Sequence, residues 1–191
     1  LFGTHRSHFT RIVRVLLHEL ELDVEWVDVG NVGANEAFGG NPLMQVPVLV
    51  EGNVTVWDSH EICRYLVARR GRDPLGVESL DWARRNLVTV IRGVMSAEVR
   101  LILATRAGMD VSGGVFDKDR DVIDRALAWI DEHIGAEPAM GSRLTYPAVC
   151  AVAMWDHLLL YENAEVDDAP QLDSFVSALR GHPSIARTRP G

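Results

Sequence analysis

The segment Asn41-Pro42-Leu43-Met44-Gln45-Val46-Pro47-Val48-Leu49-Val50, followed by Trp57-Asp58-Ser59-His60-Glu61-Ile62, decides how the chain is read. Val48, Leu49 and Val50 suit a buried strand. Gly52-Asn53 closes a tight hairpin, and Val54 to Trp57 forms its return strand. Proline at the mouth of a strand cannot donate a ladder hydrogen bond. A cis Val46–Pro47 bond is one use for it, turning the chain sharply and leaving the Val46 backbone free, although only about 5–6% of X–Pro bonds are cis. Asp58-Ser59 then opens an apolar-periodic stretch through Ile62, Tyr65 and Leu66, as helix N-capping residues do. A helix N-terminus beside an exposed strand backbone is a place to hold a small anion.

Upstream of this stretch, Leu1-Phe2-Gly3 reads as the end of a first strand and Thr4 to His8 as a polar loop. Phe9, Ile12, Val13, Leu16, Leu17 and Leu20 recur at helical spacing, and Val24 to Val29 reads as a second strand. Strand, helix, strand makes a right-handed parallel crossover. Gly30 to Gly40 is turn-rich, with room for a short helix at most. The module ends near Arg70, and Gly71-Arg72-Asp73-Pro74-Leu75-Gly76 is the clearest linker.

Downstream, the pattern is helical only. Leu80 to about Gly108 forms one long helix, Phe116 to Ile134 a second, Thr145 to Tyr161 a strongly apolar third and Pro170 to Leu179 a fourth. Gly181-His182-Pro183 stops the last.

The chain's 191 residues suffice for one large domain or two small ones packed together. Hydrophobic residues at 47% and charged residues at 24% fit a soluble globular protein. No apolar run reaches the roughly 18–20 residues that span a bilayer, and no signal-peptide pattern is present. A net charge of −8 argues against nucleic acid, which requires a basic face. Cys63 and Cys150 fall in separate helical patterns, favouring buried free thiols in a reducing, cytoplasmic compartment over a disulfide. The seven histidines have no Cys or carboxylate neighbours at ligand spacing, so no metal is expected.

The ordered series NPLMQVPVLV, hairpin, DSHEICRYL resembles the glutathione S-transferase family, whose usual form is roughly NP-x-G-K-VPVL, a hairpin, then E-S-x-A-I-x-x-Y-L. Met44 stands for the usual Gly, Gln45 for Lys, Asp58 for Glu and Glu61 for Ala. The resemblance covers nearly the whole chain and implies an α/β plus all-α fold. A thioredoxin-like, glutathione-binding domain would occupy residues 1–71, a linker 72–79 and an all-helical C-terminal domain 80–191. One departure lies at Thr145-Tyr146-Pro147-Ala148, where the family usually carries a Ser/Thr-x-x-Asp capping box. The lost reciprocal carboxylate costs roughly 1 kcal/mol.

The same resemblance aligns Leu-Phe-Gly-Thr and Arg11-Ile12-Val13-Arg14 with the family's L-Y-G-S…R-x-V-R pattern and places Ser7 where the catalytic hydroxyl meets the glutathione sulfur. A hydroxyl there donates a hydrogen bond to the thiolate and, with the helix N-terminus, lowers the thiol pKa from about 8.5. Read without the family, Ser7 is a helix cap. Serine in place of cysteine disfavours mixed-disulfide chemistry. Val46, with a cis Pro47, would bind the tripeptide backbone as an added strand. Asp58 and Ser59 would hold the γ-glutamyl end, and both also read as an ordinary N-cap. Gln45 would meet the glycine carboxylate more weakly than lysine, and Glu61 would add negative charge near the site. His8, where the family has proline, could favour the thiolate as an imidazolium near the sulfur but is expected rather to face solvent, and His5 reads as an entrance-loop residue without a catalytic role. Phe9, Arg92, Met95, Ser96 and Val99 are candidate linings for a second substrate, though individually they suit core or interface positions equally well.

The implied activity is glutathione transfer to a small apolar electrophile, or a glutathione-dependent isomerisation, by a homodimer acting in detoxification. The alternative is a non-catalytic binding or assembly module with the same fold, which the substitutions at His8, Met44, Gln45 and Glu61 keep open.

Overall fold

The hairpin read from the sequence is present in the computed structural model, which describes residues 1–30, 38–138 and 143–190. Strands β3 (Val48–Glu51) and β4 (Val54–Trp57) pair antiparallel, Val48 opposite Trp57 and Glu51 opposite Val54. Gly52 turns the corner at φ 61°, the positive value that a two-residue hairpin demands of its first central residue. Strands β1 (Phe2–Gly3) and β2 (Val27–Asp28) complete a sheet of order β2-β1-β3-β4, with β1 parallel to β2 and antiparallel to β3.

Val48 and Leu49 are buried as expected, but Val50 is exposed because β3 runs on past β1, which meets it only at Val48. The second strand is likewise shorter than the Val24–Val29 reading, since its neighbour offers only two residues. The expectation for Gly30 to Gly40 falls largely on residues 31–37, outside the described ones.

Packing divides the chain into two compact units. The first comprises Leu1–Ser79, Arg143–Tyr146 and the residues from His182 onward. Here α1 (His8–Glu19) buries Ile12, Val13, Val15, Leu16 and Leu17. Helix α2 (Ser59–Arg70) buries Ile62, Cys63, Leu66 and Val67 and stops at Gly71, whose φ of 61° is left-handed. Tyr65 departs from the apolar stripe read from the sequence: its hydroxyl turns out to donate to Glu51 at 2.5 Å.

Gly3 marks a close approach, since a Cβ there would sit 2.4 Å from the Thr10 methyl and 3.0 Å from the Trp26 ring. Past the expected stop at Gly181–Pro183, a short α7 (Pro183–Ala186) returns the chain to α1. Ser184 donates its hydroxyl to the Glu19 carboxylate there.

The second unit contains α3 (Trp82–Arg106), α4 (Asp117–His133), most of α5 (Tyr146–Leu160) and α6 (Pro170–Leu179). Helix α3 begins at Trp82 because the Asp81 carboxylate caps the Arg84 amide at 2.9 Å. Helix α5 is apolar on nearly every side and buried accordingly, with Pro147 in its first turn. Its one buried histidine, His157, lies with Nδ1 2.8 Å from Oε2 of the buried Glu98 on α3. Sequence spacing alone does not bring those two together.

Helix α6 opens after Ala169, which has no capping side chain. The cap comes from another helix: Asp131 of α4 accepts from the Leu172 amide at 2.8 Å inside the core. Asp131→Ala should therefore destabilise the protein by about 1–2 kcal/mol. Thermal unfolding would register this as a fall of roughly 2–8 °C for a chain of this size.

Candidate functional site

Thr4 begins the site. Its side chain and carbonyl both accept from the Ser7 amide, at 3.1 and 3.2 Å, and so fix the turn into α1. Ser7 is the N-cap, with extended backbone (φ −70°, ψ 118°), and its Oγ accepts from the Thr10 amide at 3.1 Å. With Oγ accepting from the helix, the hydroxyl proton points elsewhere and remains the group's donor. No carboxylate lies in the first turn of α1, so nothing there offsets the positive end of the helix. The expectation that His8 faces solvent is corrected: it is the first residue of α1 and buried, its ring tilted against Phe9 with centroids 4.6 Å apart. His5 is exposed, beside the Trp26 ring with centroids 4.9 Å apart.

The loop before β3 is held by one side chain. Asn41, buried, donates from Nδ2 to the Gln45 carbonyl at 2.9 Å and accepts at Oδ1 from the Leu43 amide at 3.0 Å. Its own carbonyl takes the Met44 amide at 3.0 Å. Val46–Pro47 is cis. Pro47 is buried, Val46 half-buried and Gln45 exposed. Among the described residues none hydrogen-bonds to the Val46 backbone.

At the start of α2, Asp58 adopts φ 70° and ψ 132°, a sparsely populated conformation for a residue with a side chain. Its Oδ1 accepts from the His60 amide at 2.8 Å and, more weakly, from the Glu61 amide at 3.4 Å. Ser59 beside it is 1% exposed, and its Oγ has no hydrogen-bond partner among the described residues. A hydroxyl buried without a partner at a helix N-terminus fits an anionic group that would supply one. Glu61 shares one guanidinium with a second carboxylate: Arg64 lies 3.3 Å from Glu61 and 2.7 Å from Glu78, so the cluster keeps a net negative charge.

A polar helix start thus follows a cis proline and a strand backbone left unpaired among the described residues. The glutathione S-transferase N-terminal domain model matches residues 6–69. The glutathione S-transferase GstB of Escherichia coli K12 is 29% identical over 167 residues, covering 78% of this chain and 80% of that one. The chain is thus similar to glutathione S-transferases, in its N-terminal part by the domain model and over most of its length by the bacterial relative.

Solved structures share the fold. A glutathione transferase family member from Pseudomonas fluorescens Pf-5, with bound S-(propanoic acid)-glutathione, aligns over 100% of this chain and 98% of its own, with TM-score 0.82 and 26% identity. A glutathione S-transferase from Methylobacillus flagellatus KT, with glutathione bound, has the same fold, with TM-score 0.83, 24% identity and coverage of 99% and 98%. The four-stranded sheet with its flanking helices is the thioredoxin-like part of the transferase fold, and the helices that follow are its second part.

The departures from the family's usual residues have local consequences. Met44, at the usual glycine position, is 54% exposed and sits at φ 51°, a left-handed conformation that costs an L-residue about 1–2 kcal/mol. Met44→Gly should raise unfolding stability by about 1 kcal/mol, less the backbone entropy that glycine adds to the unfolded chain. A shifted midpoint in urea at unchanged slope would register it.

Proposed function

We propose that this chain is a member of the glutathione S-transferase family and a working glutathione transferase. In this reading Gln45, Val46, Pro47, Asp58 and Ser59 bind glutathione and Ser7 stabilises its thiolate for attack on a small apolar electrophile. The observation that carries the reading is the Ser59 hydroxyl. A buried polar group without a partner costs about 1–3 kcal/mol, and a carboxylate placed against the α2 N-terminus would accept from it.

The roles follow from what each group offers. The γ-glutamyl carboxylate accepts from the Ser59 hydroxyl at the helix N-terminus, and the Asp58 carboxylate faces the γ-glutamyl ammonium. The free Val46 N–H and C=O pair with the tripeptide backbone as a strand edge would. Gln45, exposed at the end of the Asn41-clamped loop, offers its amide to the glycine carboxylate. Ser7 donates its remaining proton to the sulfur. The thiol proton leaves to solvent and the sulfur lone pair forms the new C–S bond. The displaced group departs with its bonding electrons, or in an addition the neighbouring carbon takes a proton.

The finer parts of the reading are a homodimer, a cytoplasmic site and a role in detoxification. Support for the dimer lies on α3 and α4, where half-buried Val90, Val122, Ala126 and Trp129 line a shallow depression of about 380 Å³ that a second copy could cover. Both cysteines are buried free thiols, which suits a reducing compartment. Among the described residues no helix is long and apolar enough to cross a membrane.

Calorimetry with glutathione tests the binding half. Ser59→Ala should weaken glutathione about tenfold or more, the loss expected of a hydrogen bond to a charged group. A wild-type protein silent at millimolar glutathione would instead favour the non-catalytic module.

Turnover tests the other half. Ser7→Ala should bind glutathione within about threefold of wild type while kcat falls roughly 10²-fold. Its pH–rate limb should also move up toward about 8.5, the value of an unassisted thiol.

A further inference from the structure

Resting on the glutathione reading, we propose that His60 and Tyr146 are positioning residues for the γ-glutamyl end. Their hydrogen bond fixes the first turn of α2 and thereby the aim of the Ser59 hydroxyl.

Tyr146 is the first residue of α5 and packs with the sheet-containing unit. Its amide donates to the Leu75 carbonyl at 2.8 Å, and its side chain is 0% exposed. The Arg143 guanidinium donates to the Asp73 and Pro74 carbonyls, so the 73–75 loop and the 143–146 segment hold each other. From this fixed base the Tyr146 hydroxyl lies 3.0 Å from Nδ1 of His60, with ring centroids 5.2 Å apart and planes inclined at 45°. A buried phenol keeps a hydrogen-bond partner, and this one reaches the second residue of the helix whose N-terminus forms the anion site.

His60 is therefore gripped twice. Its backbone amide is held by the Asp58 carboxylate, and its ring by Tyr146. Asp58, one residue before Ser59, has backbone angles that persist only where the surroundings over-determine them. Two anchors on His60, immediately after Ser59, supply that determination from the helix side. Successive helical residues point about 100° apart, so a ring tied down on one side sets the rotation of the turn and the direction of its neighbour. The Ser59 hydroxyl is thus aimed before any ligand arrives, which is how preorganisation raises affinity.

The test is calorimetry on the full chain with two ligands, glutathione and its analogue lacking the α-carboxylate (γ-aminobutyryl-cysteinylglycine), beside thermal unfolding. Tyr146→Phe keeps the ring and removes the hydroxyl; His60→Leu removes the ring nitrogen; His60→Asn keeps a polar atom near the Nδ1 position.

Tyr146→Phe and His60→Leu should each weaken glutathione about five- to tenfold, leave the analogue within about twofold and thus shrink the discrimination between them. His60→Asn should stay within about twofold of wild type, and the double variant should be no worse than either single one. The proposal is overturned if wild type and Tyr146→Phe bind glutathione equally, if both ligands weaken alike, or if the two losses add. If wild type binds no glutathione, the transferase reading falls and takes this one with it. If wild type binds in a Ser59-dependent way and the pair's variants change nothing, only the positioning role falls.

Discussion

One carboxylate governs how the chain enters its second helix. Asp58 accepts from the His60 and Glu61 amides, and in doing so holds its own backbone at φ 70°, where a residue with a side chain rarely sits. That kink carries the chain from β4 into α2 and puts Ser59 at the first helical position, buried, with its hydroxyl unsatisfied. Strain and an unpaired buried donor are both costs to the unliganded fold. They are found together at one helix N-terminus, the place where an anion would remove one of them. Stability is spent where binding needs a preset shape.

The loop before β3 is organised on the same plan. Asn41 uses its amide as donor and acceptor at once, fixing Leu43 and Gln45, while its carbonyl takes Met44. The chain then reaches the cis Val46–Pro47 bond with the Val46 backbone unpaired among the described residues. Glycine is the natural residue at a left-handed position, and this chain holds Met44 there through the surrounding hydrogen bonds. Of the substitutions that keep a non-catalytic reading open, the one at Met44 thus weighs less in three dimensions than in sequence. Met44 is accommodated, whereas Glu61 competes with Glu78 for Arg64 and still leaves the cluster net negative. In the proposed site Gln45 is a weaker partner for a carboxylate than a lysine, which would meet it with a charge.

The α1 end adds a complementary element. Ser7 caps its helix through Oγ, so the structural role and the proposed chemical role use different parts of one group: the oxygen lone pair serves the Thr10 amide, and the proton is left to donate. The absence of acidic side chains in the first turn leaves the helix field available. Elsewhere, caps are borrowed across the chain. Asp131 of α4 caps α6, and Tyr146 of α5 ties down the first turn of α2.

Much of this was legible in the chain itself because it is local. The alternation of Val48 to Trp57 around Gly52-Asn53, the helical spacing from Phe9 to Leu20 and the Asp58-Ser59 cap are encoded by neighbours a few residues apart, where periodicity and turn chemistry act. The family pattern placed Ser7, Val46, Pro47 and Ser59 because those positions are tied to these same local elements.

What the sequence left open depends on partners far along the chain. The burial of His8, the outward turn of Tyr65 to Glu51, the Glu98–His157 pair inside the helical unit and the return of α7 to α1 are set by packing between distant segments. The His60–Tyr146 hydrogen bond, across 86 residues, is the extreme case. Local propensity fixes which elements form and where they start. Whether a polar side chain finds water, a partner or nothing is decided only when the tertiary structure closes around it.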